Sequence, residues 1–130
     1  YYNPLIYPKS QLHAIGLGLN EALLGQARDV LIPGGTVALN LGGRPGLSRL
    51  NAMFQANGYQ PEVIYEEIIP QHRGTSLSSL VALEASGQSD FEFFVDARGS
   101  IPINACQAED RRVNGLSVFH KIYVIAGTLM

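Results

Sequence analysis

The stretch Thr36-Val37-Ala38-Leu39-Asn40-Leu41-Gly42-Gly43-Arg44-Pro45-Gly46 decides the fold. A short apolar run, Thr36 to Leu41, enters a glycine-rich turn, and a helical pattern of Leu47, Leu50, Met53 and Phe54 follows. A strand that is apolar on both faces suits the interior of a parallel sheet. In open α/β sheets ligands bind outside the carboxyl ends of the strands. The turn Gly42-Gly43-Arg44-Pro45-Gly46 is therefore the place to look for function.

Upstream, Leu12, Ile15, Leu19, Leu23, Val30 and Leu31 keep near-helical spacing between Gln11 and Leu31. Gly16, Gly18 and Gly25 interrupt that pattern, and each costs about 1 kcal/mol relative to Ala in a helix interior. Either the helix starts late or a close neighbour needs the missing side chains. Pro33-Gly34-Gly35 ends it: Pro presets the first turn position and Gly supplies the positive φ of a type II turn. Residues 1–10, with Pro4, Pro8 and the tyrosines Tyr1, Tyr2 and Tyr7, read as irregular.

Downstream, Pro45 fits a first helical position and Gly58 a left-handed cap. Pro61 to Ile69 reads as the next strand, and Leu77 to Glu84 as another. The loop between them is shorter than the dozen or so residues a parallel crossover needs, so the pair is expected to be antiparallel. The order helix, strand, helix, strand, reversed strand is the second half of a doubly wound α/β sheet. Beyond it, Phe91 to Val95 looks strand-like, residues 102–112 suit a short helix, and Leu116 to Ile125 reads as a strand. The role of this tail does not follow from pattern.

Composition narrows the function classes. The 130 residues suffice for one domain with a real core. Charged residues make up only 15%, which suits a chain with faces covered by something else. A net charge of −2 and the absence of a Lys/Arg run argue against nucleic-acid binding. Cys106 is the single cysteine, so a reducing, cytoplasmic setting is expected. No apolar run approaches the roughly 20 residues of a membrane helix, and no signal peptide is evident. A start at Tyr1 rather than Met leads us to expect a longer natural polypeptide.

Few side chains suggest chemistry. The Gly42–Gly46 turn is either a plain connector or an anion site, in which free N–H groups at the helix start and Arg44 receive a carboxylate. No dinucleotide or Walker pattern supports phosphate cradling. His13, His72 and His120 lack metal-ligand spacing. Glu66 and Glu67 are adjacent on a strand and point to opposite faces. Glu109, Asp110, Arg111 and Arg112 read as a solvated helix face, and Cys106 as a small buried residue. No nucleophile elbow surrounds Ser76, Ser78 and Ser79. Tyr1, Tyr2 and Tyr7 serve either as terminal packing or as an aromatic wall for a cation.

Several segments together resemble a known family. They are Ile15-Gly16-Leu17-Gly18-Leu19, Asn40 to Gly46, Thr75 to Glu84, Phe91-Glu92-Phe93-Phe94, Pro102-Ile103 and Leu116-Ser117-Val118. In order and content they are similar to the back half of class I S-adenosylmethionine-dependent methyltransferases, and most of all to the methyltransferase region of methionine S-methyltransferases. The resemblance implies a partial doubly wound (Rossmann-like) sheet with an antiparallel last strand. It divides the chain into residues 1–86, the C-terminal half of the methyltransferase domain, and 87–130, an extension packed on it. It further implies methyl transfer from S-adenosylmethionine to the thioether of methionine or a similar small acceptor.

A thioether has no proton to lose, so no catalytic acid or base is nominated. Gly42, Gly43 and Arg44 are the expected carboxylate cradle, with Tyr2 and Tyr7 on the sulfonium side. The family's cofactor half has no counterpart here, so no cofactor-binding residue carries over. The chain alone is expected neither to hold S-adenosylmethionine tightly nor to turn over. The missing half, or another chain, is expected to cover the sheet edge, with a homo-oligomer as one form of that cover. The alternatives are a class I methyltransferase with another small acceptor and a non-catalytic pairing module.

Overall fold

A computed structural model describes residues 16–130. Four helices, α1 (Gly18–Ala27), α2 (Leu47–Ala56), α3 (Ser78–Ala85) and α4 (Ala105–Val113), accompany five strands. The strands are β1 (Thr36–Gly42), β2 (Tyr59–Pro70), β3 (Phe93–Phe94), β4 (Pro102–Ile103) and β5 (Phe119–Leu129). In this mixed α/β fold they form one antiparallel sheet, in which β5 lies between β1 and β2 and pairs with both. β1 and β2 therefore run parallel to each other with a reversed strand inserted between them, as in a partial Rossmann-like sheet.

The reversed strand is not the one expected. The run Leu77 to Glu84 falls in α3, with Leu77 as its N-cap, and the antiparallel partner is β5. Leu77, Leu80, Val81 and Leu83 meet the core at helical as well as strand spacing, and a short apolar run does not distinguish the two. The Leu and Ala content of α3 favours a helix. β1 was expected inside a parallel sheet, yet among the described residues it pairs only with β5 and leaves its other edge open.

Elsewhere the local signals hold. α1 starts late, at Gly18, after Gly16 at φ 81°. Added bulk at Gly25 would meet only ordinary contact, so no close neighbour explains that glycine. Pro45 is not the first helical residue as expected: α2 begins at Leu47 with Gly46 as its N-cap, because Pro45 is taken up in the turn that Gly46 closes on the Gly43 carbonyl; the helix ends, as expected, against Gly58 at φ 89°. α4 opens on a capping box between Asn104 and Gln107. The extra residue near Ile64 bulges β2 and turns that side chain outward.

Two cores result. Leu39 and Leu41 of β1 pack with Leu24 of α1, Leu50, Met53 and Phe54 of α2, and Tyr123 and Ile125 of β5. Both helices thus cover one face of β1, while Thr36, Ala38, Asn40 and Gly42 on the other face are exposed. The second core joins α3, α4 and β3 through Leu77, Phe91, Phe93, Ala105 and Ala108.

Reciprocal carboxylate caps lock the second core. Glu109 of α4 accepts from Ser76 Oγ at 3.2 Å and from the Leu77 N–H at 3.2 Å, at the start of α3. Glu84 of α3 accepts from the N–H groups of Ala105 (2.7 Å) and Cys106 (3.2 Å), at the start of α4. Each side chain satisfies helix-start donors of the other helix. The charged run is therefore structural rather than a merely solvated face: Arg112 pairs with Glu109, and Arg111 donates to the Ser117 carbonyl. Cys106, expected to be buried, is exposed in the first turn of α4.

Candidate functional site

The carboxyl end of β1 is shaped by glycine. Gly43 donates its N–H to the Lys121 carbonyl at 2.7 Å, and Gly46 donates back to the Gly43 carbonyl at 2.9 Å, closing a tight turn around Arg44 and Pro45. A Cβ on Gly43 would lie 2.6 Å from the Lys121 carbonyl oxygen and 2.7 Å from Tyr123 Cε2. Only glycine lets β1 approach β5 this closely. Gly42 differs, since a Cβ there meets nothing within 4 Å.

Hydrogen bonds along an antiparallel pair alternate sides. Gly43 and Gly35 bond toward β5, so the N–H of Gly42 points to the open edge. The expected cradle is thereby narrowed. Gly43's amide is already used by Lys121, leaving Gly42 and Arg44 to meet a ligand. Tyr2 and Tyr7 lie outside the described residues.

A pocket of about 210 Å³ opens here. Its lining combines the polar Asn20, Asn40, Gly42 and Arg44 with the apolar Leu17, Leu41, Pro45, Leu80 and Phe91. Asn40 was legible in principle, because it lies two residues before Gly42 and strand alternation puts both on one face. Asn20, Leu80 and Phe91 come from distant segments and carry no local signal.

Arg44 is half-buried, and desolvation lowers its pKa from the ordinary guanidinium value. Among the described residues no carboxylate pairs with it; the ion pairs there are Arg112–Glu109 and Lys121–Glu66. A cation drawn from water without a counter-charge is costly, and the guanidinium fork matches a carboxylate. His120 sits nearby on β5. Burial, reinforced by Arg44, lowers its pKa, which favours the neutral imidazole. Burial, then Glu66 and Glu92, pushes the Tyr123 phenol up to about 12, so it stays protonated. Among the described residues no group of His, Cys, Asp or Glu is placed to hold a metal ion, and no helix is long and apolar enough to cross a membrane.

No family model matches the chain. Individual proteins do. The methionine S-methyltransferase of Zea mays is 32% identical over 109 residues, which are 84% of this chain and 10% of that protein. The enzyme of the same name from Hordeum vulgare is 31% identical over the same shares. That of Arabidopsis thaliana is 34% identical over 90 residues, 69% of this chain and 8% of its own length. The chain thus spans about a tenth of the length of the curated relatives it matches. Over most of its length it is similar in sequence to a short segment of the methionine S-methyltransferases.

Proposed function

We propose that this chain is the acceptor-binding part of an S-adenosylmethionine-dependent methyltransferase whose acceptor is methionine or a similar small amino acid. The observation that carries the reading is Arg44, half-buried beside a ligand-sized pocket with no carboxylate partner among the described residues. The names of the relatives agree with it. In this reading Arg44 and the Gly42 N–H hold the acceptor carboxylate, and the amide oxygens of Asn20 and Asn40 accept from its ammonium group. Both ends of the amino acid are then fixed, and alignment is what a reaction without proton transfer most needs.

The pocket does not fit the cofactor itself. It is smaller than the roughly 300–1,000 Å³ usual for drug-sized ligands, and among the described residues no acidic side chain lines it to meet ribose hydroxyls. The methyl donor belongs on polypeptide outside this chain, which alone is inactive. Calorimetric titration tests the division of labour. L-methionine should bind the chain and S-adenosylmethionine should not; tight binding of S-adenosylmethionine would overturn it.

A second reading, a non-catalytic pairing module, is favoured by the open edge of β1. That edge carries no charge and no proline, the devices that usually protect edges. In the first reading the same edge is covered by the rest of the methyltransferase domain. Sedimentation separates them: a well-folded, strictly monomeric chain that binds L-methionine speaks for the acceptor site alone.

A further inference from the structure

We infer that Leu80 and Phe91 select the acceptor by the length and shape of its side chain, admitting a short unbranched apolar thioether. The inference rests on the acceptor-site reading above and deepens it.

The pocket is lined both by Arg44, Asn20 and Asn40 and, from segments distant in sequence, by Leu80 and Phe91. An amino acid held by its charged groups at the former meets the latter with its side chain. Phe91 is only 6% exposed and belongs to the second core. Its N–H donates to Glu84 Oε2 at 3.2 Å, and that carboxylate also holds the start of α4. The next N–H, of Glu92, donates to the Arg44 carbonyl at 2.7 Å. One short bond thus fixes the apolar wall against the residue that binds the carboxylate. A separation tied in this way serves as a gauge of side-chain length. Leu80, half-buried on α3, forms the adjoining wall. A fixed apolar pocket discriminates a single methylene by about 10–200-fold.

Binding of L-methionine, L-ethionine and L-alanine to the 130-residue chain, measured by calorimetry, tests this. Leu80→Phe should weaken L-methionine about tenfold while changing L-alanine by less than about twofold, since alanine's single methyl is too short to reach that wall. Phe91→Leu should raise the preference for L-ethionine over L-methionine by about tenfold. Leu80 is partly solvent-facing, so its variant keeps the test open should Phe91→Leu unfold. If neither substitution moves these ratios while Arg44→Ala abolishes binding of all three, the acceptor site stands and the selectivity inference falls. If Arg44→Ala changes nothing, the acceptor-site reading falls and takes the inference with it.

Discussion

Replacing Gly43 by Ala should loosen the sheet, and replacing Gly42 should not. At position 43 the new methyl would sit 2.6 Å from the Lys121 carbonyl oxygen, 3.1 Å from its carbon and 2.7 Å from the Tyr123 ring. The carbonyl is backbone and already accepts the Gly43 N–H, and Tyr123 is 2% exposed, so neither can swing aside. β1 and β5 must separate at that rung. Overpacking costs about 1–3 kcal/mol and the weakened hydrogen bond about 1, so a loss of about 2–4 kcal/mol is expected. With a mid-range urea slope of about 2 kcal/mol per molar, the midpoint falls by roughly 1–2 M. Gly42→Ala meets nothing within 4 Å and should change stability by less than about 0.5 kcal/mol. Its methyl nevertheless enters the pocket and should weaken L-methionine. Equal urea midpoints for Gly43→Ala and the parent chain would refute the close-approach argument. Comparable destabilisation by the two variants would refute it as well.

Further outcomes follow from the helix caps and from Arg44. The Arg112 guanidinium foremost, helped by the Leu77 N–H, holds the Glu109 carboxyl at about 2. A depressed folded value stabilises above the ordinary carboxylate range and is lost as pH falls toward 2. Glu109→Gln should therefore cost about 1 kcal/mol at pH 7 by thermal melting, with the gap to the parent closing between about pH 4.5 and 2; a constant gap would contradict this. Glu84→Gln weakens the caps on Ala105 and Cys106, and hydrogen exchange of those amides should rise more than that of α2. Arg44→Ala removes a desolvated cation that has no carboxylate partner among the described residues, so the melting temperature should hold or rise; a fall of several degrees would reveal a structural role.

The local signals in the sequence were read well where one segment decides the outcome. The strand, turn and helix from Thr36 to Ala56 follow from apolar spacing and from Gly46 and Gly58, whose positive φ punctuates them. What escaped reading depends on distant pairing. β5 takes the place assigned to residues 77–84 because its register with β1 and β2 is set across most of the chain. Leu77 to Glu84 then folds as a helix, since no strand claims it and α4 offers a partner. Gly43 shows the same limit. Its glycine looks like turn chemistry, yet the need for it comes from the Lys121 carbonyl and the Tyr123 ring. The turn lines a pocket at the carboxyl end of β1, and Leu80 and Phe91 reach that pocket only through the tertiary fold.

The most direct test of the acceptor-site account compares L-methionine with 3-(methylthio)propylamine, which lacks only the carboxylate, on the parent chain and on Arg44→Ala. A carboxylate–guanidinium contact is worth about 1.5–3 kcal/mol, or roughly 10–150-fold in affinity. L-methionine should bind the parent chain more tightly than the amine by about that factor, and Arg44→Ala should erase the difference. Equal affinities on the parent chain, or a difference that survives Arg44→Ala, would contradict the account.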